Sequence, residues 1–412
     1  MEVYIDVTNT YQARLNTGIQ RVTRELVLRL LDYNESRSRH FFVPVVFLDH
    51  LRLWKKVARK EWVRLYRASP EKTNFSLSGL FSTYFKGPFI RDIPDGSIFL
   101  DMDSSWHNRL KRASLFKKLN ESNTSIIRLH YDLVPILFPH FCHEQTVERY
   151  MEHLAASLTY ASLFICISRK TEEDLKTLME KLGFSERFEA TLLRLGVNLG
   201  MRTEKTAQTK QVGQQGLIFN PLKENEKYVL CVGTLEPRKN HALLLDVFER
   251  IHHQYPWVKL VFIGKKGWNV DELTVRITEH ALFQKSLFWF SHVKDEMLNI
   301  FYKNCALSIL PSFYEGYGLP VIESLMNGKI VLCADKGSLP EVGESYADYF
   351  DPNNAKTLEA LLNKYLSSSK ERREREAVVK NFTPHTWHES AQDLIKILED
   401  FISKKNSENV KG

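Results

Sequence analysis

No apolar run in this chain of 412 residues approaches the roughly 18–20 residues of a membrane span. A polytopic helical channel or transporter is therefore excluded. Cysteine is scarce: Cys142, Cys166, Cys231, Cys305 and Cys333 are scattered without metal or redox spacing. A disulfide scaffold and a zinc ribbon are excluded, and reduced thiols are expected. Four of them, Cys166, Cys231, Cys305 and Cys333, border short apolar runs, where core packing is the expected role. No histidine pair has zinc spacing, because HYD at 130–132 and HFCH at 140–143 are isolated or too close for one helix face. Internal sequence repeats and nucleic-acid-reading motifs are lacking too. The net charge of +7 is diffuse, which suits anionic substrates or membrane surfaces rather than nucleic acid. Residues 2–6 already read as a strand, so no signal peptide is expected and the compartment is expected to be cytoplasmic.

What is present is a two-domain α/β pattern. Apolar residues make up 43% and charged residues 26%, which excludes disorder, and the length exceeds one ordinary core. In the second half, strand-like runs at 228–232, 258–263, 287–290, 305–310 and 329–334 alternate with helical segments. Within 240–255, Leu244, Val247, Phe248 and Ile251 recur at helical spacing. Such alternation predicts a doubly wound parallel sheet, which binds ligands beyond the carboxyl ends of its strands. Gly233, Gly264 and the 311–318 loop occupy those positions. The first half reads similarly, with strands at 2–6, 41–47, 97–101, 125–129 and 162–167 and helices near 18–32, 143–160 and 169–182. A long loop is expected over 69–96, and a Gln- and Lys-rich connector over 198–226. The domains are set at 1–200 and 227–382, with a linker at 201–226 and a C-terminal segment at 383–412. In that segment Thr386 and Glu389 form a capping-box pair opening a helix through about Ile402.

The densest chemistry is in PSFYEGYGLPVIE, 311–323, where Glu315 and Glu323 stand eight residues apart across a glycine turn. Pro320 suits a first helical turn and Gly328 a helix end. Glycines at a helix N-terminus leave backbone N–H groups bare, and the dipole there favours an anion such as a pyrophosphate. Carboxylates on both sides of that point fit a ligand with hydroxyls flanking a diphosphate, which describes a nucleotide-sugar.

The compound pattern EGYGLPVIESLMNGKIVL, 315–332, resembles the Glu-x7-Glu motif of the retaining glycosyltransferases of family four. TGIQRVTREL at 17–26, RLHYDLVPILFP at 128–139, CISRKTEEDL at 166–175, LGVNL at 195–199 and VGTLEPRKNHALLL at 232–245 look like further landmarks. The resemblance is weakest over 50–96. Combined, TGIQRV, YDLVP and EPRKN look like the branch that builds bacterial surface polysaccharides, including O-antigen mannosyltransferases. The resemblance implies a GT-B fold of two doubly wound Rossmann-like domains facing each other across a cleft, with the last helix returning to the first domain. It implies transfer of a hexose, with mannose from GDP-mannose favoured, onto a glycan or polyprenyl-linked glycan. Another donor, such as a UDP-hexose or UDP-N-acetylhexosamine, is the alternative; an inactive polysaccharide-binding or scaffold subunit is the rival of another class. Neither a cofactor nor a metal is expected.

Residue by residue, the resemblance gives Glu315 the donor sugar and Glu323 the ribose hydroxyls. Lys239 matches a donor-phosphate lysine. Many relatives have an arginine where Thr234 stands, so Arg238 is expected to supply that charge. Gly316, Tyr317, Gly318 and Leu319 are placed around the phosphates, Val293 near the base, and Gly18 in a loop over the donor phosphate. Asp132 is placed near the acceptor, although Tyr131 stands where many relatives have histidine, leaving His130 or Tyr131 to face the sugar. Each position also has a plainer reading: a solvated basic loop for 238–239, a helix N-terminal acid for Glu323, an apolar loop residue for Val293 and a loop cap for Asp132. Asp101-Met102-Asp103 mimics the metal site of the other large glycosyltransferase fold, and a strand-end turn is expected instead. Finally, 51–67 carries seven Lys/Arg against one Glu, with Leu51, Trp54, Ala58, Trp62 and Leu65 on one helical face. It reads equally as a helix lying on anionic membrane or as a surface helix packed on the first domain.

Overall fold

The computed structural model describes residues 2–13, 17–36, 41–67, 88–184, 189–197 and 227–411. The expected linker at 201–226 and the part of the expected loop through residue 87 lie outside them. The chain divides into two compact units, Met1–Gly196 with His385–Gly412, and Val197–Pro384.

The first unit is built on a sheet of eight strands among the described residues, in the order β4-β3-β2-β1-β5-β6-β7-β8. These are β1 (Glu2–Asp6), β2 (Phe41–Leu48), β3 (Leu53–Lys56), β4 (Phe89–Ile90), β5 (Ile98–Asp101), β6 (Ser125–His130), β7 (Ala161–Cys166) and β8 (Ala190–Leu192). All pairings are parallel except β2 with β3 and β3 with β4. Short apolar strands buried on both faces explain why the parallel core was readable as continuous β-branched and aromatic runs. The short strands β3, β4 and β8 carry no such signal.

The segment 51–67 departs from the expected single helix. It turns at Arg52 (φ 52), enters β3 and resumes as a helix only at Arg59–Arg67. Pairing with β2 overrides the helical stripe, because Trp54 then stacks edge-on against Phe47 (centroids 5.1 Å apart) and Phe99 (5.8 Å) in the core. Trp62 is buried as well, donating its indole N–H to Arg24 O at 3.3 Å. Lys55 is fully buried, with Nζ 2.7 Å from Glu61 Oε1 and 3.2 Å from the Tyr11 hydroxyl. Both tryptophans that a membrane face would need are therefore inside the first unit.

The last helix, Trp387–Lys411, belongs to this unit too. It opens with the expected capping box: Thr386 N–H reaches Glu389 Oε2 at 2.7 Å, and Glu389 N–H reaches Thr386 Oγ1 at 3.2 Å. Ser390 Oγ donates to Arg194 O at 2.8 Å, and Lys405 Nζ reaches Ser125 Oγ at 2.6 Å. Its docking requires Gly196, where an added Cβ would lie 2.2 Å from Trp387 N.

The second unit has a parallel sheet in the order β11-β10-β9-β12-β13-β14. Its strands are β9 (Tyr228–Val232), β10 (Lys259–Ile263), β11 (Leu287–Phe290), β12 (Leu307–Leu310), β13 (Ile330–Ala334) and β14 (Asp348–Phe350), the last not foreseen. The helix His241–His252 buries Leu244, Val247, Phe248 and Ile251 against one face. Cys166, Cys231, Cys305 and Cys333 are all buried and unpaired, as their apolar surroundings implied.

Gly196→Ala is expected to destabilise the chain by about 1–3 kcal/mol, because backbone rather than a flexible side chain must yield. Thermal unfolding checks this against Gly18→Ala, whose Cβ would meet nothing within 4 Å. Equal melting temperatures for the two variants would remove the role given to Gly196.

Candidate active site

Strand β9 has β10 on one side and β12 on the other, so the order reverses between β9 and β12. The region beyond the carboxyl ends of these two strands is the usual ligand position in doubly wound sheets. Two loops meet there: 233–239 after β9 and 311–318 after β12. Phe313 N–H donates to Arg238 O at 2.9 Å and joins them.

Glu315 is the centre of this junction. Its Oε1 accepts from Lys239 Nζ at 2.5 Å and from Ser312 Oγ at 2.6 Å, and its Oε2 from Arg238 Nη1 at 2.9 Å. Arg238 also donates to Tyr314 O at 2.5 Å and to Glu236 Oε1 at 2.5 Å. Arg238 thus bridges two carboxylates, and the four charges of Glu236, Arg238, Lys239 and Glu315 cancel within the site. Burial pushes the Glu315 carboxyl up, but Arg238 and Lys239 outweigh it and hold it at about 2.

A third loop supports the same residue. Ser338, fully buried after β13, donates its N–H to Glu315 O at 3.0 Å, and its Oγ lies 2.9 Å from Glu315 O and 2.7 Å from Tyr317 O. Gly337 has φ 60, and a Cβ there would stand 2.7 Å from both Glu315 N and O. Sequence reasoning missed Gly337, Ser338, Ser312 and Glu236. The rule that flagged the loops after the other strands, applied to 335–338 after KIVLCA, would have found the first two.

Gly318 takes φ 101 and stands at the N-cap of the helix Leu319–Met326, so the glycine turn does feed a helix N-terminus. Gly316, Tyr317 and Gly318 are buried, and Leu319 is half-buried. Glu323 lies inside that helix, 2% exposed, and its Oε2 accepts the Tyr302 hydroxyl at 2.9 Å. Tyr302 was not foreseen, since its partner is one turn into a different helix. Thr234 sits in the β9 loop, its methyl 3.0 Å from where a Cβ on Gly267 would lie. Val293 packs against the apolar cluster of Phe288, Leu298 and Phe301. Asn240 occupies the N-cap of His241–His252 in a left-handed conformation, yet its side chain makes no capping bond and donates instead to Pro352 O at 3.0 Å.

Gly18 and Asp132 belong to the first unit. Gly18 is exposed at the start of the helix Gly18–Ser36. Asp132 is half-buried, and its Oδ1 accepts Val134 N–H at 3.0 Å, the loop-cap arrangement. Neither neighbour that was left open faces outward. His130 is buried, and burial pushes it down to about 3. Tyr131 is buried with its hydroxyl on Met102 O at 2.6 Å. Asp101 and Asp103 form a strand-end turn: Asp101 binds Arg128 at 2.8 Å and His153 at 3.0 Å, and Asp103 accepts Thr10 N–H at 2.6 Å and Ser104 N–H at 2.8 Å. Among the described residues, no group of three or more His, Cys, Asp or Glu could hold a metal ion.

Against known families, residues 217–382 match the model of "Glycosyl transferases group 1". The chain is 28% identical over 405 residues to the serotype-specific mannosyltransferase WbdA of Escherichia coli, covering 96% of this chain and 46% of that protein. It thus spans about half the length of such relatives. It is also 28% identical over 370 residues to the O-antigen chain mannosyltransferase B of Escherichia coli, covering 84% of this chain and 85% of that protein. Among solved structures, Anabaena HepE in complex with UDP-glucose superposes with a TM-score of 0.62 at 15% identity, covering 97% of this chain and all of that one.

One expected outcome concerns pH. The folded Glu315 carboxyl lies below its unfolded value of 4.5, so its stabilisation is full above that value and is lost as pH falls towards 2. The difference is worth about 3 kcal/mol. Urea unfolding of wild type and Glu315→Gln should show a stability gap that narrows from pH 5 to pH 2; a gap independent of pH would contradict the ion-paired geometry. Residues 217–382 therefore resemble glycosyl transferases group 1, and the chain shares the GT-B fold of its structural neighbours.

Proposed function

We propose that this chain is a retaining hexosyltransferase that moves a sugar from a nucleotide diphosphate onto a glycan in surface-polysaccharide synthesis. The observation that carries the reading is the buried Glu315 carboxylate, held by Arg238 and Lys239 beside a glycine-capped helix N-terminus at the switch point of the second sheet. In this reading the diphosphate sits at the N-terminus of Leu319–Met326 and draws Lys239 from Glu315, while Arg238 keeps that carboxylate aimed at the sugar hydroxyls. Glu323, oriented by Tyr302, accepts ribose hydroxyls. No enzyme nucleophile is assigned: the acceptor attacks on the face the phosphate leaves, and that phosphate takes the acceptor's proton. Stabilising the departing charge is then the main catalytic contribution.

GDP-mannose is the favoured donor because WbdA and the O-antigen chain mannosyltransferase B are named as mannosyltransferases; the UDP-glucose held by the HepE neighbour is the ground for the UDP alternative. The intact Glu315–Arg238–Lys239 cluster argues against an inactive scaffold. Asp132 keeps its proposed acceptor role only if its side chain can leave the turn it caps. Among the described residues no helix is long and apolar enough to cross a membrane. A peripheral contact through 51–67 would rest on exposed Arg52, Lys60 and Arg64, without the tryptophans.

Purified chain with GDP-mannose and a mannosylated acceptor tests the proposal. Acceptor-dependent GDP release should survive EDTA, and the new linkage should be α by NMR; a β linkage or a manganese requirement would contradict it. Glu315→Gln should mainly lower kcat, by about 10- to 150-fold for a charged hydrogen bond worth about 1.5–3 kcal/mol. Glu323→Gln, touching a part of the donor that does not react, should mainly raise the donor KM. Near-full kcat for a folded Glu315→Gln variant would exclude the motif reading.

A further inference from the structure

At the amino ends of β9, β12 and β13, the edge of the sheet opposite Glu315, the second unit has a cavity of about 340 Å³. It is lined by Lys227, Lys303, Lys329, Arg372, Arg373 and Glu376, five cations against one carboxylate. The cations do not come from one solvated helix face. Lys227 precedes β9, Lys303 ends the helix Asp295–Asn304, Lys329 precedes β13, and the arginines lie on the helix Ser369–Val379. A helix C-terminal dipole accounts for Lys303, but not for the others.

Two acids of the arginine-bearing helix, and Asp348 beside it, pair with other cations. Glu371 pairs with Lys364 at 3.4 Å, Glu374 with Lys370 at 3.9 Å, and Asp348 with Arg375 at 2.8 Å. Among the described residues none of the five cleft cations has a carboxylate within ion-pair distance. Like charges that line one cavity without ion-pair partners among the described residues repel one another, and an anion with several oxygens relieves this through charge-assisted hydrogen bonds. The cavity has room for a phosphate or diphosphate. We propose that this cleft binds the phosphate group of an anionic ligand, supplied by a lipid headgroup or by a soluble phosphate ester.

The test uses the full chain with two probes, vesicles of phosphatidylglycerol in phosphatidylcholine and inorganic pyrophosphate followed by calorimetry. The triple variant Lys329→Gln, Arg372→Gln, Arg373→Gln removes three cleft charges; Lys239→Gln removes the proposed donor-phosphate cation at the other edge of the sheet. With a lipid source, the triple variant should lose vesicle partitioning by roughly 100-fold at low salt, at about 1 kcal/mol for each cation. With a soluble source, vesicle binding is unchanged and the triple variant loses a class of pyrophosphate sites that Lys239→Gln retains. Glu376→Gln should act in the opposite sense and tighten the same binding several-fold, a gain that misfolding cannot produce. Binding of both probes unaffected by the triple variant, or no gain with Glu376→Gln, would overturn the proposal. If wild type shows only the pyrophosphate class that the triple variant removes, and Lys239→Gln leaves it unchanged, the donor-site reading fails and the cleft stands.

Discussion

A carboxylate buried at the carboxyl edge of a parallel sheet is expensive unless its charge and lone pairs are met, and the arrangement around Glu315 follows from meeting them. Removing it from water costs several kcal/mol, which two cations and a serine hydroxyl offset. The two cations come from a loop far from Glu315 in sequence, so the ion cluster also fixes how the turn after β9 lies against the turn after β12. Gly337 and Ser338 are needed because the Glu315 backbone must be approached closely from the third loop. A Cβ on Gly337 would collide with the peptide that carries the carboxylate.

The first unit solves a similar problem differently. Its own switch point, between β1 and β5, is filled by side chains: Asp6 and Asp101 share Arg112, and Asp101 adds Arg128 and His153. Burial pushes Asp101 up, but Arg128 and Arg112, with the His153 hydrogen bond, hold it well below the usual carboxylate range. Asp103 has hydrogen bonds rather than a cation, and burial raises it to about 6. The two carboxylates, two residues apart, therefore differ because arginines pair directly with Asp101, whereas Asp103 has hydrogen bonds and the like charge of Asp6 nearby. That difference makes the Asp-x-Asp pattern a structural brace here.

The parallel strands and long amphipathic helices were legible because burial on both faces, or on one stripe, writes itself into local sequence. The Glu315–Glu323 turn was legible because glycine and proline mark it. Segment 51–67 was misread for a physical reason: Trp54 satisfies a helical stripe and a strand face equally, and only pairing with β2 decides between them. Glu236, Ser312, Ser338 and Tyr302 were illegible because their roles are defined by partners on other loops.

Arg238 shows what geometry adds to a motif. Sequence reasoning treats it as a second phosphate cation standing in for the arginine that many relatives have at Thr234. In the structure its guanidinium is shared between Glu236, Glu315 and a carbonyl, so reaching a phosphate would mean breaking buried charge-assisted bonds. Lys239 has a flexible stem and one carboxylate partner among its charged contacts, and can turn with far less loss. In the proposed function the arginine therefore stays fixed and orients the carboxylate, while the lysine turns to meet the anion. A neutral cluster with one releasable cation suits an enzyme that must bind a diphosphate and then let it go, because net charge is exposed only when the ligand is there to receive it.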